Sequence, residues 1–246
     1  MRIQKLKVKN CQYFYETELN CNLVNILLGF PTTGKTIFLK ELIEIHSNES
    51  FLKFESSSSL QDIVYFSPLE QTIIESNPVC SKDIALLSER LYEVDYEYKE
   101  EINYFISEFK QNLIEGSFSI SKLGTSLYYL LEFLATIYYK NKIFLINTPE
   151  ILVYPSNQKY WCERLGRFLS KTNNQYFIET NSEAIVIWLL ENVGADKVNI
   201  FWFTRKEGEK TRIFEIKDKE KLVMDYLCEY TIWFHHYVEE NLNELI

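Results

Sequence analysis

Gly29, Phe30, Pro31, Thr32, Thr33, Gly34, Lys35 and Thr36 form the pattern G-x-x-x-x-G-K-[ST] without a mismatch. They fall between an apolar, strand-like run, NLVNILL, and IFLKELIEIH, whose Phe38, Leu42 and Ile45 recur at helical spacing. Glycines at 29 and 34 let the chain bend so that successive amides point inward at phosphate oxygens, and the helix that follows adds the positive end of its dipole. Lys35 supplies a point charge for the β- and γ-phosphates, and the Thr36 hydroxyl is placed to ligate Mg²⁺. The expectation is a triphosphate site that includes Pro31, Thr32 and Thr33.

Little else in the chain could do chemistry. His46, His235 and His236 are the only histidines and none has metal-ligand spacing. There is no nucleophile elbow with a Ser, His, Asp order and no acidic cluster of the nuclease kind. Cys11, Cys21, Cys80, Cys162 and Cys228 are odd in number and never closely paired, which fits reduced thiols packed as small hydrophobes. With 46% hydrophobic and 25% charged residues in 246, the chain has enough apolar surface for one sizeable domain. Its net charge of −9, from 35 acids and 26 bases, disfavours nucleic acid as a direct ligand, although Arg2, Lys5, Lys7 and Lys9 give a basic N-terminal face. No apolar run approaches the roughly 18 residues needed to cross a bilayer, and MRIQKLKVKN is not a secretory leader, so a soluble, cytoplasmic protein is expected.

The elements that must position the loop are predicted from periodicity. RIQKLKVKN, FYETEL and NLVNILL read as N-terminal strands, SSSSL as a polar loop, and DIVYFSPLEQ as a short strand entering a turn at Pro68. From Ser81, the residues Ile84, Leu87, Leu91, Val94, Tyr98, Ile102, Phe105 and Phe109 form one apolar stripe on a helix rich in Glu and Lys. A second helix follows Gly116, with Leu130, Leu131, Leu134 and Ile137 buried. Then KIFLIN, QKYWCERLGRFLSK, QYFIET and EAIVIWLLENV alternate strand and helix, which predicts a largely parallel sheet covered on both faces. A hairpin turning at Gly208 and a helical tail from Lys219 to Ile246 complete the chain. The aromatic residues of this part (Trp202, Tyr226, Tyr230, Trp233, Phe234, Tyr237) suit a core or a protein interface.

With the loop placed, the chain resembles the ABC-type P-loop ATPase fold of the OLD-like and SMC-like group of AAA-labelled ATPases. MRIQKLKVKNCQYFYETEL is similar to that group's opening strands, and LLGFPTTGKT stands where it has G-P-N-N-S-G-K-S. The resemblance implies an α/β ATPase head spanning residues 1–246, with a mostly parallel sheet, antiparallel N-terminal strands and a helical lobe inserted at about 80–138. VYFSPLEQ sits at the Q-loop, so Gln71 would contact the metal or attacking water. KLGTSLYYLLEFL resembles the signature segment, which would make Gly124, Thr125 and Ser126 reach the γ-phosphate across a dimer; the same Thr125 and Ser126 would also serve as an ordinary helix N-cap. INTPEILVYP is similar to D-E-P-E-x-x-L-H-P, and ETNSEAI to the switch E-T-H-S-E.

Three positions depart from that pattern. Asn147 stands for the aspartate of the Mg²⁺ shell, Thr148 for the glutamate that activates water, and Asn181 for the histidine that senses γ-phosphate; Tyr154 replaces another histidine. Asn147 can accept a hydrogen bond but adds no charge. Thr148 cannot take a proton, and general-base catalysis contributes roughly 10² to 10⁴ in rate. The resemblance therefore implies a chain that binds ATP and Mg²⁺ and hydrolyses ATP slowly or not at all. It would act as an ATP-gated module that dimerises or holds an effector, in bacterial anti-phage defence or toxin control. The alternatives are an active ATPase using a composite site or displaced acids, with Glu150, Glu179 and Glu70 the nearest carboxylates, and a DNA-repair-type ATPase. Strand-end acids of this kind are usually structural or solvated.

Overall fold

The computed structural model describes residues 2–9, 11–44, 50–56, 63–67, 90–108, 133–151, 153 and 155–219. Their frame is a six-stranded sheet in the order β5-β6-β7-β3-β8-β9. Here β3 is Val24–Gly29, β5 Ile63–Phe66, β6 Ile143–Asn147, β7 Gln175–Glu179, β8 Val198–Thr204 and β9 Arg212–Ile216. All pairings are parallel except β8 with β9, which close as the expected hairpin, with Gly208 at φ +75° in its turn. Strands β3, β5, β6 and β7 are buried at every position, as a parallel sheet covered on both faces requires.

Alternation along the strands divides the interior in two. Ile26, Leu28, Ile146, Tyr176 and Ile178 pack toward α3 (Pro155–Thr172) and α4 (Glu183–Val193). Leu27, Leu145, Phe177, Phe201 and Phe203 pack toward the other side, where α1 (Lys35–Glu41) contributes Phe38 and Leu39. A small antiparallel sheet, β2-β1-β4, covers that second side with Ile3, Leu6, Val8, Leu19 and Leu52. Its strands are β1 (Ile3–Val8), β2 (Thr17–Asn20) and β4 (Leu52–Ser56).

Two expectations need correction, and one strand was missed. The strand expected at FYETEL begins only at Thr17, because Phe14 leaves the small sheet to bridge Thr211 and bury its ring. LKFES is a strand, β4, that alternation in so short a run ahead of a serine tract did not reveal. The apolar stripe is not one continuous helix: 90–94 and α2 (Tyr96–Glu108) are separated at Asp95, whose carboxylate accepts the Tyr98 amide at 2.8 Å as an N-cap. Leu91, Tyr98 and Ile102 are buried as expected, but the break turns Val94 out to 82% exposure. The helical segment 133–138 buries Leu134 and Ile137 and is stapled to α3 by Trp161, which stacks on Phe133 at 4.2 Å and donates to its carbonyl at 3.0 Å. Most of the expected lobe, the residues 220–246, and the positions Gln71, Glu70, Gly124, Thr125, Ser126 and Tyr154 lie outside the described residues.

Candidate phosphate site

The loop from Gly29 to Thr36 leaves the C-terminal end of β3, at the centre of the sheet. Its backbone takes conformations that few side chains tolerate: Gly29 has φ +139°, Thr32 +67° and Gly34 +91°. A Cβ on Gly29 would come within 2.2 Å of the Phe203 carbonyl oxygen of β8, so glycine is required there by close approach as well as by dihedral. The loop is braced from inside. The Thr33 hydroxyl donates to the Phe30 carbonyl at 2.8 Å, and the Thr211 hydroxyl donates to the Thr33 carbonyl at 2.7 Å. Phe14 lies against Gly34 and packs edge-on to Phe38 and Phe203. Thr211 and Phe14 are supports that sequence reasoning missed; both come from distant segments joined by backbone bonds between Tyr13, Tyr15 and Thr211.

Lys35 is buried, and its ammonium donates to the carbonyls of Gly29 and Phe30, both at 2.7 Å. Burial lowers its pKa, while the nearby carboxylates of Glu179 and Glu150 act in the opposite direction. Both acids therefore lie within electrostatic reach of the loop lysine. The helix α1 is only seven residues long, so the capacity to hold an anion rests on the loop amides and Lys35 more than on a macrodipole.

Strand β7 ends beside the loop. Glu179 is 5% exposed, and its Oε1 accepts the Thr36 hydroxyl at 2.8 Å. It is thus buried and bonded, the structural and not the solvated of the two readings expected for strand-end acids. Parity explains its direction: Glu179 is two residues beyond Phe177, and so shares the face that carries α1. Asn147 is its Cα partner on β6 and shares that face through Leu145. The Asn147 amide donates to the Tyr65 hydroxyl at 3.2 Å and to Ser67 Oγ at 3.3 Å.

Thr148 follows with φ +48°, unusual for a β-branched residue, and its amide donates to the Glu179 carbonyl at 2.8 Å. Its hydroxyl is buried without a hydrogen-bond partner among the described residues. Glu150 is committed to the switch segment: its carboxylate accepts the Thr180 hydroxyl and the Asn181 amide, both at 2.8 Å. Asn181 is exposed beside it. The structure thus brings together the loop, Asn147, Thr148, Glu150, Glu179 and Asn181 at the C-terminal ends of β3, β6 and β7, where ligands bind in open α/β sheets.

No protein-family model matches the sequence, and no curated protein matches it significantly. Solved structures do resemble it. An Smc head bound to the C-winged helix domain of ScpA superposes with a TM-score of 0.55 at 10% identity, over 91% of this chain and 100% of that one. The fold is that of an ABC-type ATPase head. The ATP-binding subunit of an ABC transporter gives a TM-score of 0.52 at 13% identity, covering 98% of each chain. CbiO1 from Clostridium perfringens, part of the ABC transporter complex cbiONQ, gives 0.50 at 14%, covering 98% of this chain and 96% of that one. No described helix is long and apolar enough to cross a membrane.

A divalent cation would find part of its shell here. Mg²⁺ takes oxygen ligands and is usually held by one or two carboxylates together with phosphates and water. No cluster of three or more His, Cys, Asp or Glu occurs among the described residues. The hydroxyl of Thr36 hydrogen-bonded to the carboxylate of Glu179 does supply an all-oxygen donor set next to the loop. That set fits a cation brought in with a triphosphate, not one bound by the protein alone.

Proposed function

We propose that this chain is a nucleotide-gated interaction module: it binds ATP with Mg²⁺ in the Gly29–Thr36 loop, hydrolyses it slowly, and uses the occupied loop to dimerise or to hold a partner. One observation carries the reading. A glycine-bent loop, with a buried lysine and a hydroxyl bonded to Glu179, lies at the same end of the sheet as positions 147 and 148, where the side chains are an amide and a hydroxyl that cannot take a proton near neutral pH. The loop, Lys35 and Thr36 would hold the triphosphate, and Mg²⁺ would neutralise charge on its β- and γ-oxygens. Glu150 orients Thr180 and Asn181, and would hold the switch segment in place rather than activate water.

Signature residues Gly124, Thr125 and Ser126 would supply the contact across a dimer, and Gln71 a contact to metal or water. A hydrolysis-competent subunit could stand in for the second copy. The setting in anti-phage defence or toxin control rests on analogy with the fold group alone. A second reading, an active ATPase with displaced acids, is favoured by the burial of Glu179 against Thr36.

Two measurements test the proposal together. Mass in solution is expected to rise when ATP and Mg²⁺ are added, and to stay unchanged in Lys35→Ala. Phosphate release is expected below about 1 s⁻¹, the low end of ordinary enzymes. Turnover above that value would establish the second reading, and a mass indifferent to nucleotide would remove the gating.

A further inference from the structure

We propose that the groove between α2 and α3 is a self-association surface, on which a second copy of this chain seats its acidic α2 against the basic α3 of the first. The groove shares no residue with the phosphate loop, so this contact is independent of the nucleotide reading. The sequence loads the two helices with opposite charge. α2 holds four glutamates and one lysine, and α3 four bases and one glutamate, giving −3 and +3 in a chain of −9 overall. Spacing gathers each charge on one face. Glu97, Glu100, Glu101 and Tyr104 recur at i, i+3, i+4 and i+7 along α2. Arg164, Arg167, Phe168 and Lys171 repeat that spacing along α3, and the two stripes line a groove of about 570 Å³.

Only the floor of the groove is closed within the chain. Glu101 is 6% exposed and forms an ion pair with Arg164, whose Nε donates to the Tyr160 hydroxyl at 2.9 Å and whose guanidinium lies over the Phe168 ring. The rims stay apart: Glu97, Glu100, Arg167 and Lys171 are exposed, and none of the four has an ion-pair partner among the described residues. An acidic wall facing a basic wall is complementary to itself when turned over. A two-fold axis along the groove carries α2 of one copy over α3 of the other, so each acid–base contact is made twice. An axis across the groove would set α2 on α2 and α3 on α3, where like charges repel. The same surface offers apolar contact, because Tyr104 is 56% exposed, Tyr96 72%, and Val94 stands out just ahead of α2. With α2 about 20 Å long and two helices about 20 Å wide, roughly 400 Å² per copy is covered, the low end of specific association. The contact is therefore weak and governed by charge.

The test is sedimentation of the purified chain in EDTA without nucleotide, over a concentration series reaching about 200 µM, at about 0.02 M and about 0.5 M salt. Wild type is expected to dimerise at low salt and to weaken at least about 10-fold at high salt. Arg167→Glu/Lys171→Glu and Glu97→Lys/Glu100→Lys, all at exposed positions, are each expected to weaken the dimer at least about 10-fold at low salt, since each sets like charges on both pairs of facing walls. Mixed in equal amounts, the two variants are expected to associate within about threefold of wild type, because acid again meets base at both contacts. That recovery requires contact between copies, and attraction between the helices of one chain cannot produce it. A wild type that stays monomeric at low salt, variants that dimerise as wild type does, or a mixture that fails to recover overturns the inference. Each of these results leaves the nucleotide reading, which is tested with ATP and Mg²⁺, untouched.

Discussion

Gly29 is where local geometry constrains the site most tightly. With φ at +139° and the Phe203 carbonyl oxygen 2.2 Å from where an added methyl would sit, Gly29→Ala should lower unfolding free energy by at least about 2 kcal/mol, measured by urea denaturation. Lys35 has a different role, because its burial depresses the folded-state pKa below the ordinary lysine value. A folded pKa below the unfolded one means that the unfolded chain binds the extra proton, so the associated penalty is fully present below the folded pKa and is relieved as pH rises toward about 10.4. The stability difference between Lys35→Met and wild type should therefore shift in favour of wild type as pH is raised through the alkaline range toward that value; a difference flat with pH would show that the ammonium is not penalised. The loop was legible residue by residue, since its spacing alone names Gly29, Gly34, Lys35 and Thr36. Glu179 was legible only as a strand-end acid, structural or solvated, and strand parity compared with the face that carries α1 decides for the structural role.

Among the elements, α3 does most to hold the helical segment 133–138 against the sheet. Trp161 is fully buried, stacked on Phe133, and bonded through its indole N–H to the Phe133 carbonyl and the Thr136 hydroxyl. Trp161→Ala should cost about 3 to 5 kcal/mol, as large aromatic truncations in cores do, with thermal denaturation as the readout. A loss under about 1 kcal/mol would mean the segment is held by other contacts. The alternating strands and helices after Lys142 were read correctly because each buries a full face; α4 matches EAIVIWLLENV at both ends, with Ser182 at its N-cap and Gly194 at its C-terminus. The break at Asp95 was not legible, since Leu91, Val94 and Tyr98 keep helical spacing across it. Capping chemistry overrode periodicity there.

At the scale of the molecule, the sheet order places β7 between the loop strand β3 and β6, which is why the side chains of three separated segments meet at one edge. The basic N-terminal face left open by sequence is offset in the fold: Lys5 pairs with Glu18, and Lys7 with Glu18 and Glu55 at 3.4 and 2.6 Å. Such exposed pairs add little stability, but they reduce the charge offered to a phosphate backbone. Duplex DNA should therefore not shift in a gel at physiological salt; a salt-sensitive shift would revive the repair reading. The central claim is that the glycine-bent loop grips a triphosphate. Its most direct measurement is calorimetric titration of the purified chain with a non-cleavable ATP analogue and Mg²⁺, beside Lys35→Ala. Saturable binding near one per chain in the wild type, lost in the variant, is the predicted result; identical heats for the two proteins would contradict it.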